Sequence, residues 1–308
     1  MEIELKRKIF LEKLDKKFQK LECFNKFAGL GFLRKVLRLL FCPEIYLPYL
    51  FLRTSNKEIK EVNLFWNKKI KIKSQEIPFF AVAGILPGGA EYKLTKFFIK
   101  NLKETDIFYD IGANYGFYTY LALEFCKEVH SFEPLPFVFE NLKLNLKDNQ
   151  KVYLNEIALS DRNGVTKIYL PNTGHLDSTG SSTIIEESLD KHYYKFSESL
   201  EIKTITLDEY LKSHNPPTVI KLDVEGAESL VIEGGLNFFK NYSPIITLEA
   251  WSPEEGGEIS MRAVQKLRDL GYKSYFINQD GELEFVEGDL SLIVKKQNLY
   301  DDNFVFKK

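Results

Sequence analysis

Residues 107–117 read Ile-Phe-Tyr-Asp-Ile-Gly-Ala-Asn-Tyr-Gly-Phe. A short apolar run, Ile107 to Ile111, meets Gly112, then Asn114, then Gly116, and a helical pattern follows from Phe117 to Phe125. A strand that ends in a glycine turn and opens a helix brings backbone close to a ligand. Asp110 sits inside that turn, where a carboxylate can bind a cationic or hydroxylated group. The dinucleotide fingerprint has the form G-x-G-x-x-G, with the helix start aimed at a pyrophosphate. Here the spacing is D-x-G-x-N-x-G, and an acid so placed repels a pyrophosphate. The turn therefore favours a cofactor carrying an amine and a ribose.

The next segment, Lys127-Glu-Val-His-Ser-Phe-Glu-Pro134, is a short strand ending in an acid. Glu133 follows the glycine turn by about 20 residues, the spacing at which an acid reaches ribose hydroxyls. The bland alternative is an ordinary α/β crossover with a structural glycine.

Outward from this unit the pattern alternates. Strand Val129–Phe132, helix Pro136–Leu146 and strand Val152–Ala158 come first. Strand Thr218–Leu222, helix Ala227–Phe239, strand Pro244–Leu248 and helix Ser260–Leu270 come later. Tyr272–Ile277 and Leu290–Val294 read as the last two strands. Such alternation specifies a mostly parallel sheet with helices on both faces. Residues 163–206 interrupt it. Gly164–Leu170 and Glu201–Leu207 alternate like strands around a polar loop, Pro171 to Ser199, which reads as an inserted β-hairpin. Loops of that length are usually functional or disordered.

Four segments in order, Asp110-Ile-Gly-Ala-Asn-Tyr-Gly116, Phe132-Glu-Pro134, Ala158-Leu-Ser-Asp161 and Lys221-Leu-Asp-Val-Glu-Gly-Ala-Glu228, resemble the FkbM-type methyltransferases. The resemblance runs from Glu91 to Lys296 and leaves the first ninety residues uncovered. It implies a Rossmann-like class I methyltransferase fold with a seven-stranded sheet, and S-adenosylmethionine (SAM) as methyl donor. It implies cofactor contacts from Asp110, Gly112, Ala113, Asn114 and Gly116, with Glu133 and Pro134 at the ribose. Ala158, Ser160 and Asp161 would flank the adenine. It also implies an acceptor of the kind the family often modifies, a hydroxyl on a sugar or glycan precursor of the surface-polysaccharide type.

Ligands of open parallel sheets bind at the carboxyl ends of the strands, where strand order reverses. The acceptor side then falls to the ends of the fourth and fifth strands, with Asp223, Glu225, Glu228, Glu249 and Trp251. Methyl transfer to a hydroxyl requires alignment and removal of a proton. Asp223 or Glu225 is a candidate base. Asp223, Glu225 and Glu249 are equally candidates for holding a divalent cation, since hard cations prefer carboxylates. The bland reading makes Glu225 a first-turn acid and Glu228 an exposed acid of the following helix. Lys221 is expected to be buried and to pair with a nearby acid. Of four histidines, His130 reads as core and His214 as exposed loop. His175 and His192 lie in the inserted loop, where His175 is a candidate catalytic group.

Three organisational segments follow: a basic helical extension (1–60), a β-hairpin and loop cap (61–90, from the alternation across Glu61–Ile77) and the SAM-binding domain (91–308). The whole chain of 308 residues has a net charge of -2, which carries no global nucleic-acid signature. Residues 1–60, by contrast, hold fourteen basic against seven acidic residues. Leu5, Ile9, Leu14, Phe18 and Leu21 recur at helical spacing, and a broken apolar run extends from Phe27 to Leu52. This extension suits either packing on protein, including a second subunit, or attachment to an anionic membrane face. Scattered Cys23, Cys42 and Cys126 and a charged N-terminus suit a reduced, cytoplasmic protein, peripheral at the inner membrane face if the extension binds lipid. The leading expectation is SAM-dependent O-methylation. The alternatives are another small-molecule or phosphorus-containing acceptor, an RNA or protein acceptor, a non-catalytic SAM-binding protein, and a nucleotide-dependent oxidoreductase, which Asp110 disfavours.

Overall fold

The computed structural model describes residues 2–27, 33–54, 58–73, 79–171, 182–185 and 196–308. Packing divides the chain into two compact units, Met1–Lys100 and Asn101–Lys308.

The first unit contains α1 (Glu2–Lys26), α2 (Leu33–Phe41), α3 (Pro43–Thr54), the strands β1 (Ile59–Asn63) and β2 (Lys69–Lys73), α4 (Phe79–Ala83) and α5 (Gly89–Asn101), whose last residue opens the second unit. Helix α1 buries Phe10, Leu14, Leu21 and Phe24, while Leu5 and Ile9 stay exposed. The hairpin pairs β1 and β2 antiparallel, and alternation puts Val62, Ile70 and Ile72 inside. Asn67 takes a left-handed φ of 70° in its turn, a conformation asparagine tolerates. Phe10 stacks on Trp66 at 5.8 Å, joining helix and hairpin.

The second unit begins with β3 (Ile107–Ile111), α6 (Phe117–Ala122), β4 (Glu128–Phe132), α7 (Pro136–Leu146), β5 (Val152–Asn155) and β6 (Ala158–Leu159). The insertion supplies β7 (Gly164–Pro171) and β8 (Phe196–Ile205), and α8 (Leu207–Tyr210) closes it. Then come β9 (Val219–Leu222), α9 (Glu228–Gly234), α10 (Leu236–Asn241), β10 (Ile245–Trp251), α11 (Gly257–Asp269), β11 (Lys273–Ile277), β12 (Leu283–Val286), α12 (Leu290–Lys296) and β13 (Asp301–Lys307).

The large sheet has the order β12-β11-β13-β10-β9-β3-β4-β5. Strands β5, β4, β3, β9 and β10 are parallel, and β13, β11 and β12 add antiparallel pairs at one side. The chain starts in the middle at β3, moves outward through β4 and β5, and returns to β9 on the other flank of β3. Strand order therefore reverses between β3 and β9. Side chains of β3 alternate faces. Tyr109 and Ile111 join the core beneath α8 to α11, and Asp110, on the opposite face, meets Thr119 of α6. This is the doubly wound α/β architecture expected of the sequence.

The single helix expected over Ala227–Phe239 is two, α9 and α10, meeting at Gly235, and two strand expectations also need correction. Leu290–Val294 is a helix, not a strand. Asp289 caps it by accepting the Ser291 N–H at 2.9 Å, and Leu290 and Val294 are buried one turn apart while Leu292 is 48% exposed. The closing strand is Asp301–Lys307, and with β12 the sheet has eight strands rather than seven. The second correction concerns Val152–Ala158, which is not one strand. β5 ends at Asn155, and Ala158–Leu159 pairs with β8 in a separate three-stranded sheet, β6-β8-β7. The inserted hairpin thus takes the end of the third strand away from the main sheet.

Ser160 and α9 meet at a glycine. A Cβ on Gly234 would lie 2.0 Å from the carbonyl oxygen of Ser160, with the Thr206 side chain also close. Gly234→Ala is expected to lower the unfolding free energy by about 2 kcal/mol or more, through overpacking against backbone that has no slack. Chemical denaturation measures it; an unchanged midpoint would show that the insertion and α9 move apart freely.

Candidate functional site

The reversal between β3 and β9 brings two turns into contact. The first is the glycine turn after β3. Gly112, Asn114 and Gly116 have φ of 82°, 50° and 87°. A Cβ on Gly112 would stand 1.8 Å from the carbonyl oxygen of Asp223, and one on Gly116 would stand 2.4 Å from Leu142. Gly112 is therefore glycine for two reasons: its φ, and the close approach of the turn after β9. Gly112 and Ala113 both donate their N–H to the carbonyl of Phe132, which ties the turn to the end of β4.

Glu133, at that end, is almost wholly buried. Its Oε2 accepts the Asn114 N–H and its Oε1 the Leu135 N–H, each at 2.9 Å. The acid expected at the ribose is thus fixed in orientation by backbone, and each oxygen keeps a lone pair for a hydroxyl. Pro134 follows it in the loop before α7. Asn155 lies beside it: its carbonyl accepts the Glu133 N–H at 3.0 Å, and its amide donates to the Ser131 carbonyl at 3.1 Å.

Asp110 lies beneath the turn rather than on it. No part of its side chain is accessible. Its Oδ2 accepts the Thr119 hydroxyl at 2.6 Å, and Thr119 also contacts the Ser131 hydroxyl at 3.1 Å. Its Oδ1 is buried without a hydrogen-bond partner, 3.8 Å from the Nζ of Lys221. Lys221, on β9 and 5% exposed, donates to Asp223 Oδ2 at 2.9 Å and to the Gly112 carbonyl at 3.2 Å. Its ammonium therefore lies between the cofactor turn and the first acceptor-side acid. Burial pushes the Asp110 carboxyl upward, and the Lys221 charge and the Thr119 hydrogen bond oppose that rise. Pairing of Lys221 with a nearby acid is what the sequence led one to expect.

The second turn, 223–226, carries the acceptor-side acids. Glu225 has a φ of 53°, a strained value for a side chain of that size, and Gly226 follows at 95°. Glu228 is not the exposed acid considered above: it is 3% exposed, and its Oε1 accepts the N–H groups of Val224 (3.0 Å) and Gly226 (3.1 Å). It holds the turn shut from inside. Glu225 and Glu249 are half-buried, and both carboxyls are pushed well above the usual range. Burial is the first cause for both, followed by crowding with Asp223, Glu228 and Asp301 for Glu225 and with Asp301, Asp223 and Glu225 for Glu249. The Trp251 indole donates to Glu249 Oε2 at 2.8 Å and fixes its direction. Asp223, next to the glycine turn, keeps a third of its side chain accessible.

The inserted hairpin reaches the same place. Thr183, paired with Tyr169 of β7, donates its hydroxyl to the Glu225 carbonyl at 2.7 Å. His175 and His192 lie outside the described residues. His130 is core as expected. Its ring nitrogens meet the Tyr210 hydroxyl and Glu128, each at 2.7 Å, and burial lowers its proton affinity. His214 is half-buried, stacked on Tyr210 at 3.9 Å. Of the residues expected at an adenine, Ala158 pairs with Thr204, and Ser160 is buried, with its hydroxyl donating to Asp161 at 3.1 Å. Among the described residues, no three His, Cys, Asp or Glu side chains are grouped so as to hold a metal ion, Asp223, Glu225 and Glu249 included.

Sequence reading missed Thr119, Asn155 and Asp301. Each sits in an ordinary strand, helix or loop context, and only the topology brings it here. Taken together, the turn offers carbonyl oxygens and the backbone-oriented carboxylate of Glu133 to a cofactor, and Gly112 and Gly116 let it pack closely on Asp223 and Leu142. The residues present fit SAM.

The family described as the methyltransferase FkbM domain matches residues 110–274. The chain is 27% identical over 195 residues to the 2-O-methyltransferase NoeI of Sinorhizobium fredii, covering 60% of this chain and 80% of that protein. It is 29% identical over 162 residues to the hexuronic acid methyltransferase AglP of Haloferax volcanii, covering 51% of this chain and 61% of that protein. The crystal structure of a methyltransferase FkbM from Methylobacillus flagellatus aligns with a TM-score of 0.40 and 11% identity, over 94% of this chain and 59% of that chain.

Two outcomes are expected from the charges. Lys221→Met removes the cation facing Asp110, and breaking such a buried pair costs about 3–5 kcal/mol. The loss should be larger at pH 8 than at pH 5.5, where Asp110 can take up a proton, as thermal melts at the two pH values would show. A pH-independent loss would mean that Lys221 contributes only packing.

Burial raises the Glu133 and Glu228 carboxyls from 4.5 to about 7. The folded chain then keeps protons up to about pH 7 that the unfolded chain releases near 4.5. Stability contributed by these groups falls as pH rises through that window and is level above it. Glu228→Gln, which keeps an acceptor for Val224 and Gly226, should shrink the drop in melting temperature between pH 5 and 8. An equal drop in variant and wild type would remove Glu228 as its source.

Proposed function

The chain belongs to the FkbM methyltransferase domain family, and from that premise we propose that it transfers a methyl group from SAM to a hydroxyl of a sugar in a glycan precursor. The observation that carries this reading is the direct packing of the Gly112 turn on Asp223, which sets an accessible carboxylate next to the cofactor cradle. The printed functions of NoeI and AglP, a 2-O-methyltransferase and a hexuronic acid methyltransferase, support a sugar as acceptor.

SAM supplies an electrophilic methyl on a sulfonium, so the protein's own work is orientation and one proton. The N–H groups of Gly112, Ala113 and Asn114 are already bonded to Phe132 and Glu133, so the turn addresses the methionine end through carbonyl oxygens, and Glu133 offers its remaining lone pairs to the ribose hydroxyls. Asp223, held by Lys221 at 2.9 Å, accepts the proton of the acceptor hydroxyl. Glu225 and Glu249 hold their protons more tightly than ordinary carboxyls, and each can donate to a neighbouring sugar hydroxyl when protonated or accept from one when ionised. A set of oriented carboxyls spaced along two strand ends suits a polyhydroxylated ring.

With radiolabelled SAM and a panel of mono- and oligosaccharides, label is expected in the sugar fraction. Asp223→Asn is expected to lower kcat by about a hundredfold or more while SAM affinity by calorimetry stays within about twofold. Absence of SAM binding to the wild type would sink the reading as a whole. Label found only in protein or RNA would leave the methyltransferase and remove the sugar.

A further inference from the structure

Helix α2 is anchored by the wrong side. Leu33, Val36 and Leu40 recur at i, i+3 and i+7 with Phe41 beside them, which makes one apolar face, and Arg34, Lys35 and Arg38 occupy the opposite arc. In a surface helix the apolar face normally packs inward. Here the guanidinium of Arg38 lies 3.8 Å over the ring of Phe24 in α1 and donates its Nε–H to the Phe24 carbonyl at 3.1 Å. The polar arc is therefore tied to α1 through Arg38, and at the end of the helix Phe41 also lies 5.8 Å from the ring of Phe27. No residue of α2 is buried, and Leu33, Val36, Leu40 and Phe41 are 54%, 43%, 67% and 61% exposed.

Helix α3 continues the surface. It buries Ile45, Tyr46 and Leu52 and leaves Leu47 and Phe51 exposed at 51% and 64%. Single exposed apolar residues need no explanation, but eight large ones on two adjoining helices, Leu39 and Leu50 included, mark a contact surface.

We propose that this α2–α3 face docks on an anionic lipid surface. The helices would lie in the membrane plane, with Leu33, Leu40, Phe41 and Phe51 entering the acyl boundary and Arg34 and Lys35 among the headgroups. Charge supports a lipid rather than a second copy. Residues 1–60 hold twice as many basic as acidic residues within a chain of net charge -2. A symmetric contact between two copies would place Arg34 and Lys35 close to their own counterparts, like charges that an anionic surface would neutralise. None of the described helices is long and apolar enough to cross a membrane, so the geometry is that of a surface-lying helix.

Cosedimentation of the full chain with vesicles of phosphatidylcholine alone, and of phosphatidylcholine with phosphatidylglycerol, tests this. Binding is expected to the anionic vesicles, to weaken as salt rises, and to fall by roughly an order of magnitude in Leu40→Glu/Phe51→Glu. Both substitutions are at exposed positions, and unchanged SAM binding would confirm that the variant is folded. No binding to anionic vesicles at low salt would overturn the proposal. So would a wild-type dimer in sedimentation velocity that the same variant turns into a monomer, since a second copy would then own the face. Equal binding to neutral vesicles would overturn the part assigned to Arg34 and Lys35.

Discussion

The site depends on one buried ammonium. Lys221 is enclosed by the sheet and the two turns it serves, within 3.8 Å of Asp110 and bonded to Asp223 and to the Gly112 carbonyl. Without it, two carboxylates and a carbonyl dipole would converge in a space largely closed to water, an arrangement that neutralises itself by taking up protons or by opening. With it, the turn after β3 and the turn after β9 are held together electrostatically as well as by shape. The reversal of strand order supplies the geometry, and the lysine makes that geometry tolerable.

The remaining acids divide by what their oxygens do. Glu133 and Glu228 each spend lone pairs on backbone N–H groups of a turn. They are structural clamps that also present charge, and their raised proton affinity is the cost of enclosing them. Glu225 and Glu249 carry no such backbone bonds among those observed, keep surface, and are pushed up partly by neighbouring carboxylates. On the proposed reading, acids of the first kind shape a pocket and those of the second address what enters it. The strained φ of Glu225 belongs to the second role, because Thr183 of the insertion bonds its carbonyl and holds it there.

Much of this was legible in the sequence, and the reason is physical. Donor-side recognition is written in backbone: positive φ at Gly112 and Gly116, the strand–turn–helix order, and an acid about 20 residues on. Those are local signals. The parallel core of the sheet followed from alternation for the same reason. Leu290–Val294 misled because three apolar residues at alternate positions are also compatible with a helix that buries only two of them. The cap at Asp289 was the signal that distinguished the two. The break after Asn155 was not legible, since it depends on the inserted hairpin competing for Ala158–Leu159.

The acceptor side was harder to read because it has no local code. Its groups come from the 223–226 turn, the end of β10, Asp301 at the start of β13, and Thr183 in the insertion. Asp301 stands opposite Trp251 only because β13 runs antiparallel to β10, and that strand had been expected elsewhere. A catalytic domain built this way can keep its donor turn nearly constant while each contributing loop changes separately. The acceptor of such an enzyme is set by segments that share a site but not a motif. On the function proposed above, side-chain identity at Thr183, Glu225, Glu249 and Asp301 would govern which hydroxyl is presented to Asp223.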